Sequence, residues 1–359
     1  MALWPVGRNG GSIPRCMMAR PAQRHTGGRH DSHLMIFMNR CAKGSKAAPT
    51  IGAVTFTPLH PLYPPSAPFR SQALPVAGGH VLHVDEFGHP QGVPALVLHG
   101  GPGSGCSPLL HRFFDPRRYR IVCADQRGAG ASQPRGETAH NTTAHLLSDL
   151  RLLRDHLGID RWLVVGGSWG ATLAIAHAAD LPQAASGLLL RATFLARAED
   201  VDGFFASAST LLPQAEAAFA GDDDDASAAA ALAWWRHEQA MSDFALPADA
   251  EPAPATLLAL VDRYKVQAHY LHHGCWMTPS LLDRCAELPP VPTLLLHGTA
   301  DRVCPPAGAM AVAKRVSRSR LQWVDGAGHD PAHAGMAAAM VDALDHFATH
   351  RNFDGQAAR

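Results

Sequence analysis

The sequence predicts an α/β protein: a mostly parallel central sheet flanked by helices and interrupted by one inserted helical segment. Three observations carry that expectation. Short apolar runs recur at 80–86, 95–99, 119–125, 162–165, 187–192, 293–297 and 321–324. Several are continuous, as strands buried on both faces require. Helical candidates at 143–157, 171–179, 306–316 and 335–349 fall among them, and strand–helix alternation is the sequence form of a parallel sheet. Between 196 and 288 the rhythm stops, in a segment rich in Ala, Leu, Trp and acids with no convincing buried strand. With the alternation resuming at PTLLLHG, this block reads as a cap over the sheet's C-terminal edge, where such sheets bind ligands.

The expected organisation is an N-terminal extension over 1–55, a core in two parts over 56–195 and 289–350, the cap at 196–288, and a tail at 351–359. The extension is basic, carries one acid (Asp31), and shows neither helical nor strand period. It reads as disordered or as the product of an upstream start, with an organellar transit peptide as the lesser alternative. The formal net charge is zero and only 17% of residues are charged, which gives no reason to expect nucleic acid or an anionic membrane as partner. No apolar run approaches the roughly 20 residues that span a bilayer. Seven scattered cysteines without a CxxC pair read as reduced thiols of a cytoplasmic protein.

The chemistry starts at Gly166-Gly167-Ser168-Trp169-Gly170. Leu163-Val164-Val165 reads as a strand and Ala171 onward as a helix, so G-x-S-x-G sits in the strand–turn–helix context that a nucleophile elbow needs. The helix N-terminus then offers free N–H groups to an oxyanion. A serine hydroxyl needs a base, and the base an orienting carboxylate. Asp301 follows the run 293–297, and His329 follows the run 321–324 on a Gly-rich loop. The order Ser, Asp, His is that of this architecture. Asp325 competes for the acid role but lies only four residues before His329, so Asp301 is preferred. Donors for the developing negative charge, each worth about 3–4 kcal/mol, are assigned to the N–H groups of Gly101, in His99-Gly100-Gly101-Pro102-Gly103, and of Trp169. His99 reads as part of that turn rather than as a base.

Two further clusters have plainer readings. Asp222–Asp225 read as a solvated helix start rather than a calcium site. His272, His273 and Cys275 do not share one helix face, which disfavours a metal site. Cys304, beside the acid loop, is expected to make activity sensitive to thiol reagents.

Taken together, LYPPSAPFRS, LHGGPGSG, RFFDPRRYRIVCADQRGAG, NTTAHLLSDL, LGIDRWLVVGGSWGATLA, HGTADRVCP and GAGH resemble the proline iminopeptidases, a branch of the α/β-hydrolase superfamily. The resemblance implies an α/β-hydrolase fold with a helical cap, the triad Ser168, Asp301 and His329, no metal or organic cofactor, and small peptides with a free N-terminus as substrates. It also implies cap carboxylates for the substrate amine. ALAWWRHEQAMS places Glu238 at the acidic position, beside Trp234 and Trp235. KVQAHYLHHGCW places Gln267 where the family usually carries a second glutamate, and Gln accepts a hydrogen bond without bringing charge. Ala129, Ala131 and Ala144 also depart from the family pattern. The function expected is a serine exopeptidase releasing an N-terminal residue, preferably proline. The alternatives are an ester or amide hydrolase with relaxed amine recognition, and a non-catalytic binding protein on the same fold.

Overall fold

The computed structural model describes residues 62–242 and 251–355. The expected extension at 1–55 and the last residues of the expected tail, 356–359, lie outside the described residues. Eight strands form one sheet in the order β1-β2-β4-β3-β5-β6-β7-β8. The elements are β1 (Arg70–Pro75), β2 (Val81–Gly88), β3 (Val93–Leu98), β4 (Tyr119–Ala124), α1 (Thr143–His156), β5 (Trp162–Gly167), α2 (Trp169–Asp180) and β6 (Ala185–Arg191). After these come α3 (Ala198–Phe205), α4 (Leu211–Ala220), α5 (Asp224–Met241), α6 (Pro254–His272), α7 (Leu281–Arg284), β7 (Thr293–Gly298), α8 (Ala307–Ala313), β8 (Ser319–Val324) and α9 (Ala334–His350). From β4 to β8 every neighbouring pair is parallel. β2 runs antiparallel to both β1 and β4.

The continuous apolar strands are explained by helices on both sides of the sheet. Leu96, Val122, Val164, Leu188 and Leu295 join a core with α1, α2 and α8. Their strand neighbours Val97, Cys123, Val165, Leu189 and Leu296 join a second core with α9. Successive side chains point to opposite faces, and here both faces are dry. The element that sequence patterning missed is β1. Its burial pattern is mostly exposed and it ends in Pro75, as suits an edge strand, so it shows no apolar run.

Between β6 and β7 lie α3 to α7. Phe204, Phe205, Phe219, Trp234, Leu260 and Tyr264 form a separate hydrophobic cluster there. The acidic run starts α5: Asp223 is its N-cap and accepts from the Ala226 N–H at 3.0 Å. Among the described residues, no helix is long and apolar enough to cross a membrane.

Topology positions the site. The chain leaves β3 for β4 on one side and then crosses to β5 on the other, so the loops after β3 and β5 diverge from adjacent strands. A crevice at the C-terminal end of the sheet follows from such a reversal.

Candidate active site

Ser168 stands between β5 and α2 with φ +58° and ψ −125°, a conformation a side-chain-bearing residue adopts only when its surroundings enforce it. The flanking glycines make this possible. A Cβ on Gly166 would lie 2.2 Å from the Gly170 carbonyl oxygen, and one on Gly170 would lie 2.1 Å from the Leu98 carbonyl oxygen. Both clashes are with backbone, so Gly166 is demanded by the tightness of the elbow itself and Gly170 by its close approach to β3.

The acid and the histidine come from the loops after β7 and β8. Thr299 N–H donates to the Val324 carbonyl and Ala300 N–H to that of Ala327, at 3.1 and 3.0 Å, joining the two loops. His329 Nδ1 then lies 2.9 Å from Asp301 Oδ2. A carboxylate only accepts, so Nδ1 carries the proton, and in the neutral imidazole the Nε2 lone pair is left free. Asp301 is itself fixed by the N–H groups of Val303 and Cys304 at 3.0 and 2.9 Å. Burial alone would raise its carboxyl, but the His329 charge and hydrogen bond, with the Cys304 N–H and His297, hold it below the ordinary carboxylate value. Asp325, the competing carboxylate, is exposed and accepts from Thr299 Oγ1 at 3.2 Å.

One cavity of about 230 Å³ is lined by Ser168, His329, Gly101, Glu238 and Gln267. Asp301 stands behind His329. Trp169 is not among the residues that line the cavity: its side chain is fully buried and donates through Nε1 to Gln126 Oε1 at 2.9 Å. Neither the Gly101 nor the Trp169 N–H has a backbone acceptor among the described residues. The Ser168 hydroxyl lies 3.8 Å from the Cys304 thiol. It makes no hydrogen bond to His329 among the described residues, a contact that often tightens only around substrate. Cys304 is close but sheltered. It is 2% exposed, and burial followed by the Asp301 charge pushes its thiol well above the ordinary value, which runs against the expected reactivity to thiol reagents.

His99 is structural. Its Nε2 accepts from the Gln126 N–H at 2.9 Å, so its Nδ1 donates, to the Gly100 carbonyl at 2.9 Å. Gln126 Nε2 returns a bond to the His99 carbonyl at 3.0 Å, so the HGGPG and DQRG turns are joined. Among the described residues, no group of three or more His, Cys, Asp or Glu side chains could hold a metal ion.

Two arginines of the cavity lining were not singled out from the sequence. Arg191 closes β6, is 8% exposed, and donates through Nη1 to the His329 carbonyl at 2.8 Å. Its only sequence signal is a cation ending an apolar run at the same sheet edge as Ser168. Arg263 lies on α6. α5 and α6 meet where Trp234 stacks on Tyr264, ring centroids 5.2 Å apart. One turn after Trp234, Glu238 thereby reaches Arg263 and Tyr264. Arg263 Nη2 donates to Glu238 Oε1 at 2.6 Å, and the Tyr264 hydroxyl donates to Oε2 at 2.5 Å. Glu238, expected to await a substrate amine, is already paired.

A Ser168 elbow, an Asp301–His329 pair and an eight-stranded sheet of this order define an α/β-hydrolase, and residues 94–333 match the family described as alpha/beta hydrolase fold. An esterase from Rhodococcus sp. ECU1013 has the same fold, with TM-score 0.59 and 19% identity over 79% of this chain and 99% of that one. The proline iminopeptidase of Xanthomonas citri is 36% identical over 313 residues, 81% of this chain and 100% of that protein. That of Arabidopsis thaliana is 35% identical over 315 residues, 80% of this chain and 82% of that protein. The chain belongs to the proline iminopeptidase family of the α/β-hydrolases.

Proposed function

We propose that the protein is a serine exopeptidase that releases an N-terminal residue, preferably proline, from small peptides. The observation that carries this reading is the shared cavity, whose lining brings together Ser168, the Asp301-held His329, Glu238 and Gln267. His329 Nε2 takes the Ser168 proton as Oγ attacks the scissile carbonyl. The oxyanion receives the Gly101 and Trp169 N–H groups. His329 then returns the proton to the departing amine, the C–N bond breaks, and an acyl-enzyme remains. Water, activated by the same imidazole, releases the residue and restores Ser168. Residues 196–288 act as the cap, and its inward face meets the residue to be released. The free thiols Cys106, Cys123, Cys275, Cys285 and Cys304 suit a reducing cytoplasm.

Release of arylamine from prolyl-arylamide beside alanyl-arylamide and a short-chain aryl ester tests the reading, with Ser168→Ala as control. The expected result is a proline preference of about tenfold or more, roughly 1.4 kcal/mol. Loss of activity in Ser168→Ala should be about 10³-fold or greater. Turnover of the ester with both arylamides ignored would overturn it. The second reading, an ester or amide hydrolase with relaxed amine selection, is favoured by the Glu238–Arg263 pair. Absence of fluorophosphonate labelling at Ser168 would point instead to a non-catalytic protein.

A further inference from the structure

The cavity above Ser168 is lined by two carboxylates beyond the Asp301–His329 pair, Asp200 and Glu238, and both are matched by arginine. Asp200 takes bonds from Arg197 Nη2 and Nε at 2.6 and 3.0 Å, an arginine that it shares with Glu199. Glu238 takes Arg263 Nη2 on both oxygens, at 2.6 and 2.9 Å, and the Tyr264 hydroxyl besides. Arg263 stands one helical turn before Gln267, so guanidinium and amide share a face of α6, and both line the cavity. Around them the lining is apolar: Phe194, Val201, Phe204, Phe205, Leu271 and Val303.

A substrate ammonium that reaches Glu238 finds no unmatched negative charge there. If it shares Glu238, it also faces the guanidinium that already balances that carboxylate, and like charges repel strongly in a partly desolvated space. If it displaces Arg263, it strands a cation whose Nε N–H is already buried without a partner among the described residues, and an uncompensated cation in such a place is costly. Either way, the ion pair gained is offset by one disturbed. A saturated ring without charge incurs neither cost and still meets the phenylalanines.

We propose that Arg263 is a specificity-determining residue: by holding Glu238, it makes the cavity select the N-terminal ring by shape rather than charge, so that amides and esters of neutral cycloalkyl carboxylic acids are also cleaved. This rests on the reading that Ser168 is acylated in this cavity. The bonds made and broken are the same. Ser168 Oγ joins the acyl carbon, the amine or alcohol leaves with the proton from His329, and water completes the cycle.

The test uses two boronic acids of matched shape, each of which bonds reversibly through boron to a serine Oγ. Pyrrolidine-2-boronic acid carries the ammonium at neutral pH, and cyclopentylboronic acid does not. In the wild-type protein the two inhibition constants should differ by less than about tenfold. In Arg263→Leu the charged boronate should gain at least about tenfold over the neutral one, and adding Glu238→Gln should erase that gain. A wild-type preference for the ammonium of about tenfold or more, or an Arg263→Leu ratio like the wild type's, overturns the proposal. The wild-type ratio decides even if the variant does not fold. Equal binding of both boronates to wild type and Ser168→Ala would instead overturn the assignment of Ser168 as nucleophile.

Discussion

Arg191 shows how a side chain can govern the site by holding the backbone of another residue. Its guanidinium lies against the elbow, where a Cβ on Gly167 would come within 2.5 Å of Nη2, while Nη1 holds the His329 carbonyl. Burial pushes its pKa down and the Asp301 charge opposes that shift. Arg191→Met is expected to loosen the His329 loop and cost about 10–100-fold in kcat, the scale of an ångström-sized misplacement, while KM moves little. Steady-state kinetics on a prolyl-arylamide would show it, and an unchanged kcat would exclude the positioning role. That Ser168, Asp301 and His329 come together could be anticipated from the sequence because each follows a strand run, in a set order, with a residue type that acyl transfer needs. Arg191 and Arg263 could not be. Their meaning lies in partners that sequence does not display: Arg191 meets His329 across 138 positions, and Arg263 meets Glu238 only because two helices pack through Trp234 and Tyr264.

Elements are joined beneath the site by a buried ion pair. Arg127, in the turn after β4, donates through Nε and Nη2 to Asp149 on α1 at 2.8 and 2.6 Å, and also bonds the carbonyls of Ala77 and His140. Arg127 is 1% exposed and Asp149 4%, and burial drives the Asp149 carboxyl upward against the arginine that lowers it. Arg127→Leu leaves that carboxylate alone in the core and should destabilise by about 3–5 kcal/mol, read as a lower urea midpoint at an unchanged slope. Restored stability in Arg127→Leu with Asp149→Leu would assign the loss to the stranded charge. At this scale the central strands were visible because both faces are apolar. β1 was hidden, because an edge strand with one buried residue leaves no period to read. The helix after the elbow was placed too late at 171, since α2 begins at Trp169, where the glycines that form the turn obscure the start.

The whole molecule carries several histidines that fold in the neutral state. His177 is fully buried, and Trp162 Nε1 donates to its Nε2 at 3.2 Å, so a proton there would meet another proton. Burial lowers its pKa to about 4. His99 and His297 are also lowered, in each case first by burial. An unfolded chain, with histidine near 6.5, binds protons in this window that the folded chain refuses, so stability rises with pH there. It should be complete above about pH 6.5 and fall toward pH 4, with His177 alone contributing on the order of 3 kcal/mol. Asp301 acts in a lower window: its depressed carboxyl adds stability above about pH 4 that is lost as pH falls through its folded value. Thermal midpoints across this range test the expectation, and a His177→Gln variant should flatten the upper part. A flat wild-type profile would contradict it.

The connection from β6 to β7 has to return the chain to the start of a parallel strand whatever else it carries. α7 serves that purpose, with Leu281 buried in the same core as α2, and α6 joins that core through Val266 and Tyr270. α3 to α5 are therefore a detour, and the pairing of Leu188 with Thr293 and of Arg191 with Leu296 is indifferent to what they contain. In a lineage of such chains, mutations that retune which acyl group enters can accumulate between residues 198 and 241 without shifting the sheet. Divergence among descendants should concentrate there, while the elbow stays nearly silent.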